Sequence, residues 1–315
     1  MNAAGGSGSA GTGATDSSEC DNLSLDVGAT AAHGTTPLFK ASSILDIIYG
    51  VGIVGSDLYF VANHQLEHVP IAGGAPVVVG PFAGEQALLV GSTLIWVEPA
   101  VAPATTVRIL SAPASDISKP SVVADGVPDL ELLIADADTA FFDTRTPANI
   151  YSVPIAGGTP KVLVASHSPL GMVSDGTTLY WLDFDAEQLE SVPKAGGAPQ
   201  LLAESFFGGP MVHEGNSVYW ADTSQNTINR WSTGDTMTTQ LWETGDFFDQ
   251  PDSIGVNAGT VYWTQGTFCT GLWQLQPNAA KPELLVNGFQ SGSVLTVDST
   301  HLYVEATDGI YRVDR

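Results

Sequence analysis

The sequence has little positive charge: ten lysines and arginines stand against 34 aspartates and glutamates, which gives a net charge of −24. A chain of this charge repels nucleic acid and anionic membrane surfaces, so we expect neither as a partner. The sequence also lacks any apolar run near the ~18 residues that a membrane-spanning helix needs. These absences predict a soluble protein with no membrane-spanning segment, and the strong acidity favours a monomer.

Motifs of common catalytic sites are missing as well. The chain has no HExxH zinc motif, no GxSxG nucleophile elbow, no Walker A loop and no Rossmann glycine fingerprint. An active site assembled from distant loops would leave no such local motif. The sequence therefore favours a noncatalytic protein without excluding an enzyme.

Turn-forming and strand-forming residues are abundant. The 315 residues include 34 glycines and 19 prolines, and 43% of the chain is hydrophobic while 14% is charged. Frequent glycine and proline among valine, threonine and aromatic residues are typical of short strands joined by turns. The composition predicts an all-β protein with a large core.

Residues 1–19 read MNAAGGSGSAGTGATDSSE, which is typical of a flexible tether. This stretch has no basic segment followed by an apolar one, so it is not an intact signal peptide. One interpretation is a cytoplasmic protein with a disordered tail. The other, which we favour, is an extracytoplasmic protein (secreted, periplasmic or a surface lipoprotein) whose signal has been removed. Residues 1–33 are accordingly assigned to a flexible tail and lead-in.

Cys20 and Cys269 are the two cysteines of the chain. Their wide separation does not match a metal-binding or CxxC spacing. In an exported protein they could form a disulfide bond, and two separate thiols are an equal alternative.

Three nearly identical segments reveal a repeat. They read VPIAGGAPVVV (69–79), VPIAGGTPKVLV (153–164) and VPKAGGAPQLL (192–202). The first two lie 84 positions apart and the last two 39, which places a degenerate copy between the first two, at 109–123. A period near 40 residues is typical of repeat architectures.

A short hydrophobic triplet with an aromatic residue marks each unit. The triplets are LYF (58–60), LIW (94–96), AFF (140–142), LYW (179–181), VYW (218–220), VYW (261–263) and LYV (302–304). Their central residues are spaced by 36, 46, 39, 39, 43 and 41 positions. A third marker, with members such as LESVPKA and IYRVDR, follows each triplet. All three markers predict seven units.

Each unit reads as four short strands, A to D, separated by turn residues. Four antiparallel strands repeating every ~40 residues indicate a β-propeller blade. The last unit ends at IYRVDR without a strand D, whereas GTTPLFKAS (34–42) resembles an isolated one. We therefore predict a seven-bladed propeller over residues 34–315, closed by the N-terminal strand. The alternative is that 34–42 is a loose tail.

The triplets in context, LYWLDFD (179–185), VYWADTS (218–224) and VYWTQG (261–266), resemble the YWTD repeat of low-density-lipoprotein-receptor-type propellers. The VPxAGG turns are similar to those of bacterial extracellular propellers. The resemblance covers roughly residues 34–315 and implies the propeller fold. It also implies that the Tyr-Trp pairs are positions of blade packing.

Large aromatic residues recur in the predicted D–A loops, which gather with the B–C loops around the channel of a propeller. They are Tyr49, Phe82, Phe206, Phe207, Phe247, Phe248 and Phe289. Because loops are normally polar, we interpret these residues as a candidate aromatic rim that binds a ligand or partner. The alternative for each residue is that its ring fills a gap between blades.

The candidate metal ligands are His64, His167, Asp185 and Asp222, all in loops of the same predicted face. Oxygen ligands suit Ca²⁺, although no DxDxDG loop is present and solvated surface carboxylates are the favoured interpretation. We therefore expect no cofactor, with Ca²⁺ or another divalent metal as the alternative.

Two functions follow from these observations. The favoured one is a noncatalytic exported propeller that binds a protein partner or ligand, basic or cationic in character, through its loop face. The alternative is a metal-assisted hydrolase or lyase with its site at the channel mouth. Histidines or carboxylates from several blades that meet at the channel mouth would favour the enzyme.

Overall fold

The computed structural model describes residues 35–41, 48–100, 105–204, 208–244, 250–265, 271–287, 293–306 and 308–315, with backbone alone for 287 and 293–295. These residues form 28 strands in seven four-stranded antiparallel sheets. Among them there is no helix long and apolar enough to cross a membrane. The prediction of an all-β protein with seven blades is confirmed. The proposed tail (1–33), Cys20 and Cys269 lie outside the described residues.

The first three blades are built from consecutive strands. They are β2 (Ile48–Val54), β3 (Asp57–Ala62), β4 (Gln65–Pro70) and β5 (Val77–Pro81); β6 (Glu85–Val90), β7 (Thr93–Glu98), β8 (Thr106–Pro113) and β9 (Ser121–Pro128); and β10 (Leu130–Ala135), β11 (Thr139–Thr144), β12 (Asn149–Pro154) and β13 (Lys161–Ala165). The degenerate second blade has the longest outer strands, β8 and β9.

The next three blades repeat the same order. They are β14 (Pro169–Ser174), β15 (Thr178–Asp183), β16 (Gln188–Pro193) and β17 (Gln200–Glu204); β18 (Met211–Glu214), β19 (Ser217–Asp222), β20 (Thr227–Ser232) and β21 (Thr239–Glu243); and β22 (Pro251–Asn257), β23 (Thr260–Gln265), β24 (Gly271–Leu275) and β25 (Glu283–Asn287). The first strands of neighbouring blades contact each other, which places strand A innermost.

The seventh blade joins the two ends of the chain. It comprises β26 (Ser293–Val297), β27 (His301–Ala306), β28 (Gly309–Asp314) and β1 (Thr35–Lys40), in the order β1-β28-β27-β26. Strand β1 is antiparallel to β28, with Thr35 opposite Val313 and Lys40 opposite Gly309. Strand β26 in turn contacts β2 of the first blade. The predicted closure by the N-terminal strand is confirmed.

The aromatic triplets of strand B fill the interfaces between blades. Each of the seven apolar clusters contains the third residue of one triplet and the central residue of the triplet in the preceding blade. The pairs are Phe60–Tyr303, Trp96–Tyr59, Phe142–Ile95, Trp181–Phe141, Trp220–Tyr180, Trp263–Tyr219 and Val304–Tyr262. All fourteen side chains are buried, and most of them are large aromatic rings, whose burial stabilises such interfaces. The repeat is therefore the pattern by which the ring packs.

The VPxAGG segments form tight turns between strands C and D. In the copy at 69–79, the Gly73 N–H donates to the Pro70 carbonyl at 2.8 Å, and Gly196 and Pro193 repeat the bond at the same length. The first glycine adopts φ of +93° in one copy and +95° in the other. Since side-chain-bearing residues rarely adopt such values, glycine is required there.

The end of the ring with the A–B and C–D connections is held together by acidic turn caps. Asp298 Oδ1 accepts bonds from the N–H groups of Thr300 and His301, both at 2.7 Å, and its Oδ2 accepts one from the Tyr303 hydroxyl at 3.0 Å. These bonds hold the pKa of Asp298 at about 2, against the opposing effect of its partial burial. Blades three and four are joined at this end by Lys194, which pairs with Asp136 and Asp138.

Candidate functional site

The D–A and B–C connections share the other end of the ring, which we call the loop face. The N–H of Phe82, in a D–A connection, donates to the carbonyl of His64, in a B–C turn, at 2.7 Å. His167 and Ala148 make the same kind of bond at 3.1 Å. These bonds between adjacent connections give the loop face a defined shape in the described residues.

The loop face is more acidic than the opposite face. Three of the ten lysines and arginines lie at this end, namely Lys40, Arg108 and Arg145, and the other seven lie in the opposite half. Arg108 pairs with Glu98 and Arg145 with Glu131, so two of the three are neutralised by acids of the same face. The exposed acids here include Glu85, Asp129, Asp185, Glu187, Glu204, Glu243 and Asp252.

The two described members of the aromatic rim are engaged in packing. Phe82 is 4% exposed, and its ring centroid lies 5.7 Å from that of Trp96. Tyr49 is half-buried and donates its hydroxyl to the Gly84 carbonyl at 2.9 Å, and burial raises its pKa to about 12. Both rings therefore contact neighbouring protein groups, and the binding role of the rim stays a prediction. The other five, Phe206, Phe207, Phe247, Phe248 and Phe289, lie outside the described residues.

The four predicted metal ligands separate in the structure. His64 and Asp185 are exposed on the loop face. Asp222 is buried and caps its own turn, because its Oδ1 accepts the N–H groups of Ser224 at 3.0 Å and Gln225 at 2.8 Å. His167 alone joins a group of three ligand-type side chains within the described part of the chain, and its neighbours are two carboxylates that were not among the predicted ligands.

This triad consists of His167, Asp183 and Glu190, whose ligand atoms all lie within 4.8 Å of one another. Asp183 ends β15, and Glu190 lies on β16 opposite Trp181. Since paired residues of an antiparallel ladder point to one side of the sheet, both carboxylates face blade three beside the Trp181 ring. The triad therefore lies at the loop-face edge of the interface between blades three and four, rather than at the channel.

The histidine ring is held between the two carboxylates. His167 Nδ1 lies 2.7 Å from Asp183 Oδ2 and 3.1 Å from Glu190 Oε2. The ring meets Trp181 edge to face at a centroid distance of 5.6 Å. Burial raises the pKa of Glu190; the charge of His167 opposes this effect and the charge of Asp183 adds to it. The arrangement can hold a proton or a cation between two acids.

Asp143 is a further buried acid on this face, near the end of β11. Its Oδ1 accepts the Leu132 N–H at 2.8 Å, and the side chain is almost fully enclosed. Burial raises its pKa to about 6, an effect that the Leu132 bond and Arg145 oppose and Glu131 supports. The carboxyl is thus less acidic in the folded chain than in the unfolded one.

We expect Asp143→Asn to stabilise the protein at pH 7 by up to about 2 kcal/mol, since one pKa unit corresponds to ~1.4 kcal/mol. Because the pKa of Asp143 is higher in the folded chain than in the unfolded one, its contribution to stability is fully present below pH ~4 and is lost as pH rises through about 6. The asparagine keeps the acceptor for Leu132 and removes the charge. Melting temperatures from pH 4 to 7.5 should therefore diverge as pH rises, with the variant above the parent chain.

Asp298→Asn is the matched control of opposite sign. Because the folded-state pKa of Asp298 is about 2, the stability that this carboxylate contributes is present above its unfolded-state pKa and is lost as pH falls toward 2. We expect this variant to melt below the parent at pH 7 and to converge with it in acid. Equal pH profiles for Asp143→Asn and the parent chain would contradict the assignment of Asp143.

Asp183 and Glu190 are both absent from the predicted ligands, and Glu190 is the one with a signal in the sequence. It is an acid in the middle of strand C, in LESVPKA, where five of the other six blades have an uncharged residue: Leu110, Tyr151, Asn229, Trp273 or Tyr311. An acid within a buried, alternating strand is a usable signal, because such groups need a partner. Blade one repeats it with Glu67, whose pKa burial also raises.

The fold matches solved structures at low sequence identity. Virginiamycin B lyase from Staphylococcus aureus superposes with a TM-score of 0.68 at 12% identity, over 90% of this chain and 99% of that one. YCF48 bound to D1 peptide gives 0.62 at 12%, over 90% and 94%. The extracellular domain of the putative one-component system BT4673 from B. thetaiotaomicron gives 0.64 at 8%, over 89% and 40%. These similarities establish the propeller fold.

No protein-family model matches the chain, and no curated protein matches it by sequence.

Proposed function

We propose that this propeller is a noncatalytic binding protein whose loop face engages a basic protein or peptide. The observation that carries the proposal is the segregation of charge between the two ends of the ring. Exposed acids gather on the loop face, and two of its three basic side chains are paired with acids. A surface of one sign raises the rate and specificity of association with a partner of the opposite sign.

Similar folds support the use of a propeller face in binding. YCF48, which has the same architecture, was solved with a peptide bound. We extend the idea of peptide or protein binding to this chain, and the acidity of the loop face specifies the charge of the partner. We also propose an extracytoplasmic location, in keeping with the extracellular domain that shares the fold.

The test compares two triple variants that change net charge equally. One variant removes three exposed acids of the loop face (Asp129→Asn, Asp185→Asn and Glu187→Gln). The other removes three exposed acids of the opposite face (Asp116→Asn, Asp138→Asn and Asp314→Asn). The probe is a ten-residue peptide of alternating lysine and glycine, titrated calorimetrically at low salt. We expect about tenfold weaker binding for the loop-face variant, since each exposed ion pair contributes ~0.2–1 kcal/mol.

The opposite-face variant should bind the peptide like the parent chain, and an alternating glutamate–glycine peptide should bind none of the three. Binding should weaken as salt rises, because exposed charges are screened. Equal weakening in both variants would show attraction to the overall charge and would contradict a site on the loop face.

A metal-assisted hydrolase or lyase is the second candidate, and the His167–Asp183–Glu190 triad is the observation that favours it. Its residues come from one blade and the connection before it, and the triad lies between blades rather than at the channel mouth. A binding function accounts for the charge of the whole face and is therefore preferred.

A further inference from the structure

Two buried carboxylates and one imidazole nitrogen converge between blades three and four. The side chains of Asp183 and Glu190 are 3% and 11% exposed, and that of His167 is 21% exposed. Carboxylates removed from water require positive charge or several hydrogen bonds. The charge and hydrogen bonds available to this pair therefore decide what the triad holds.

Protein groups do not satisfy both carboxylates. Asp183 Oδ1 accepts the Ala186 N–H at 2.8 Å, and Asp183 Oδ2 faces His167 Nδ1. Glu190 Oε2 is buried and makes no hydrogen bond of good geometry, although His167 Nδ1 lies 3.1 Å away and the neighbouring Trp181 N–H is close enough to lower the pKa of Glu190. A single Nδ1 hydrogen cannot serve two acceptors with good geometry, and the shorter contact is to Asp183.

Lysine and arginine do not supply the missing charge. All ten of these residues lie within the described ranges, and none of their ion pairs includes Asp183 or Glu190. Even a protonated His167 would bring one positive charge to two acids. A divalent cation would bring two, and it would bond all three atoms at once.

We propose that His167 Nδ1, Asp183 Oδ2 and Glu190 Oε2 bind a divalent transition-metal ion of the zinc class. The imidazole nitrogen favours such an ion over Ca²⁺ or Mg²⁺, which prefer oxygen ligands alone. Three protein ligands leave a further coordination position, which the partly exposed His167 edge would connect to solvent. This site differs from the predicted set, because Asp183 and Glu190 replace His64, Asp185 and Asp222.

The required adjustment is small. Zinc bonds to nitrogen and oxygen are ~2.0–2.2 Å long, so tetrahedral ligand atoms lie about 3.4 Å apart. The Nδ1 distances of 2.7 and 3.1 Å would increase by about 0.7 and about 0.3 Å, respectively. His167 lies in a connection, so its ring can move by this amount without shifting a strand.

The experiment titrates the purified full chain, stripped with a chelator and dialysed, with Zn²⁺ in a calorimeter. We expect one ion per chain, a rise in melting temperature with Zn²⁺ concentration, and visible absorption when Co²⁺ replaces zinc. Glu190→Gln and His167→Asn should weaken Zn²⁺ binding more than about tenfold, since even groups behind the ligands contribute 10–100-fold. The Co²⁺ absorption should be lost in His167→Asn.

Two control variants separate this site from adventitious binding. His64→Asn removes an exposed histidine of the same face, and Asp222→Asn changes the acid at the matching end of strand B one blade later. Both should bind Zn²⁺ like the parent chain.

The proposal is overturned if the parent chain binds no stoichiometric Zn²⁺, or if Glu190→Gln binds it as tightly as the parent. A metal-free Glu190→Gln variant that melts above the parent, with no Zn²⁺ effect on either chain, would assign the triad to proton sharing instead. Circular dichroism of each variant verifies the fold, and Asp183→Asn provides a second test if Glu190→Gln fails to fold.

Discussion

Removal of Thr35–Lys40 is expected to leave a chain that aggregates or melts at least 10 °C below the parent. Without β1 the whole edge of β28 is exposed, and an unpaired strand edge is a site of association. The deletion also removes Leu38, which is 5% exposed and packs with Leu58 and Tyr303. One such side chain and five residue pairs of ladder contribute about 5 kcal/mol or more, which is a large part of a domain's stability.

Point substitutions within β1 keep this prediction testable if the deleted chain cannot be purified. Leu38→Ala should cost about 2–5 kcal/mol, whereas Thr35→Ala, at an exposed position of the same strand, should cost less than about 0.5 kcal/mol. Deletion of residues 1–19 should leave the melting temperature nearly unchanged. A monomeric Thr35–Lys40 deletion with the parent's melting temperature would contradict closure by this strand.

The architecture could be predicted from the sequence because the repeat encodes packing directly. A residue pair such as Tyr180 and Trp220 recurs near a 40-residue interval, and each interval adds one blade against the last. The isolated strand before the first unit and the missing strand after the last unit then predicted the closure. Every one of these inferences needed the order of residues and no knowledge of angles or distances.

The candidate site could be predicted much less well, because it depends on register and on neighbouring connections. His167 was identified from its position in a D–A connection, but its partners follow from the pairing of Glu190 with Trp181 and from the orientation of β15. Asp222 ends strand B in the same way as Asp183. The Asp222 carboxylate accepts the N–H groups of Ser224 and Gln225, whereas the Asp183 carboxylate contacts His167. The same acid at the same repeat position therefore has two roles.

The charge of the loop face also could not be predicted from the sequence. The net charge of −24 is a property of the composition, whereas its distribution depends on which end of each strand carries the base. Lys119, Lys161 and Lys194 all lie near C–D connections, which share the opposite face. Because neighbouring strands of a blade run in opposite directions, bases near the C–D connections collect at the opposite face, and the loop face is left more acidic.

Truncation of a tryptophan between blades should have the second large effect. Trp220 is 1% exposed and packs between Tyr180, Leu189 and Trp231. We expect Trp220→Ala to lower the free energy of unfolding by about 3–5 kcal/mol, because the cavity spans the interface of two rigid sheets. Urea denaturation followed by far-ultraviolet circular dichroism measures the change, and Met237→Ala, at an exposed loop position, should leave the transition within about 0.5 kcal/mol.

Substitution by phenylalanine separates packing from hydrogen bonding at two equivalent positions. Trp263 Nε1 donates to Gln265 Oε1 at 3.0 Å, whereas Trp220 Nε1 is buried and has no hydrogen-bond partner. Trp263→Phe leaves the buried Gln265 oxygen without its donor, at a cost of about 1–3 kcal/mol, whereas Trp220→Phe removes a donor that was never satisfied. Trp263→Phe should therefore destabilise the protein by at least about 1 kcal/mol more than Trp220→Phe. Equal costs would mean that the repeat stabilises its interfaces by ring packing alone.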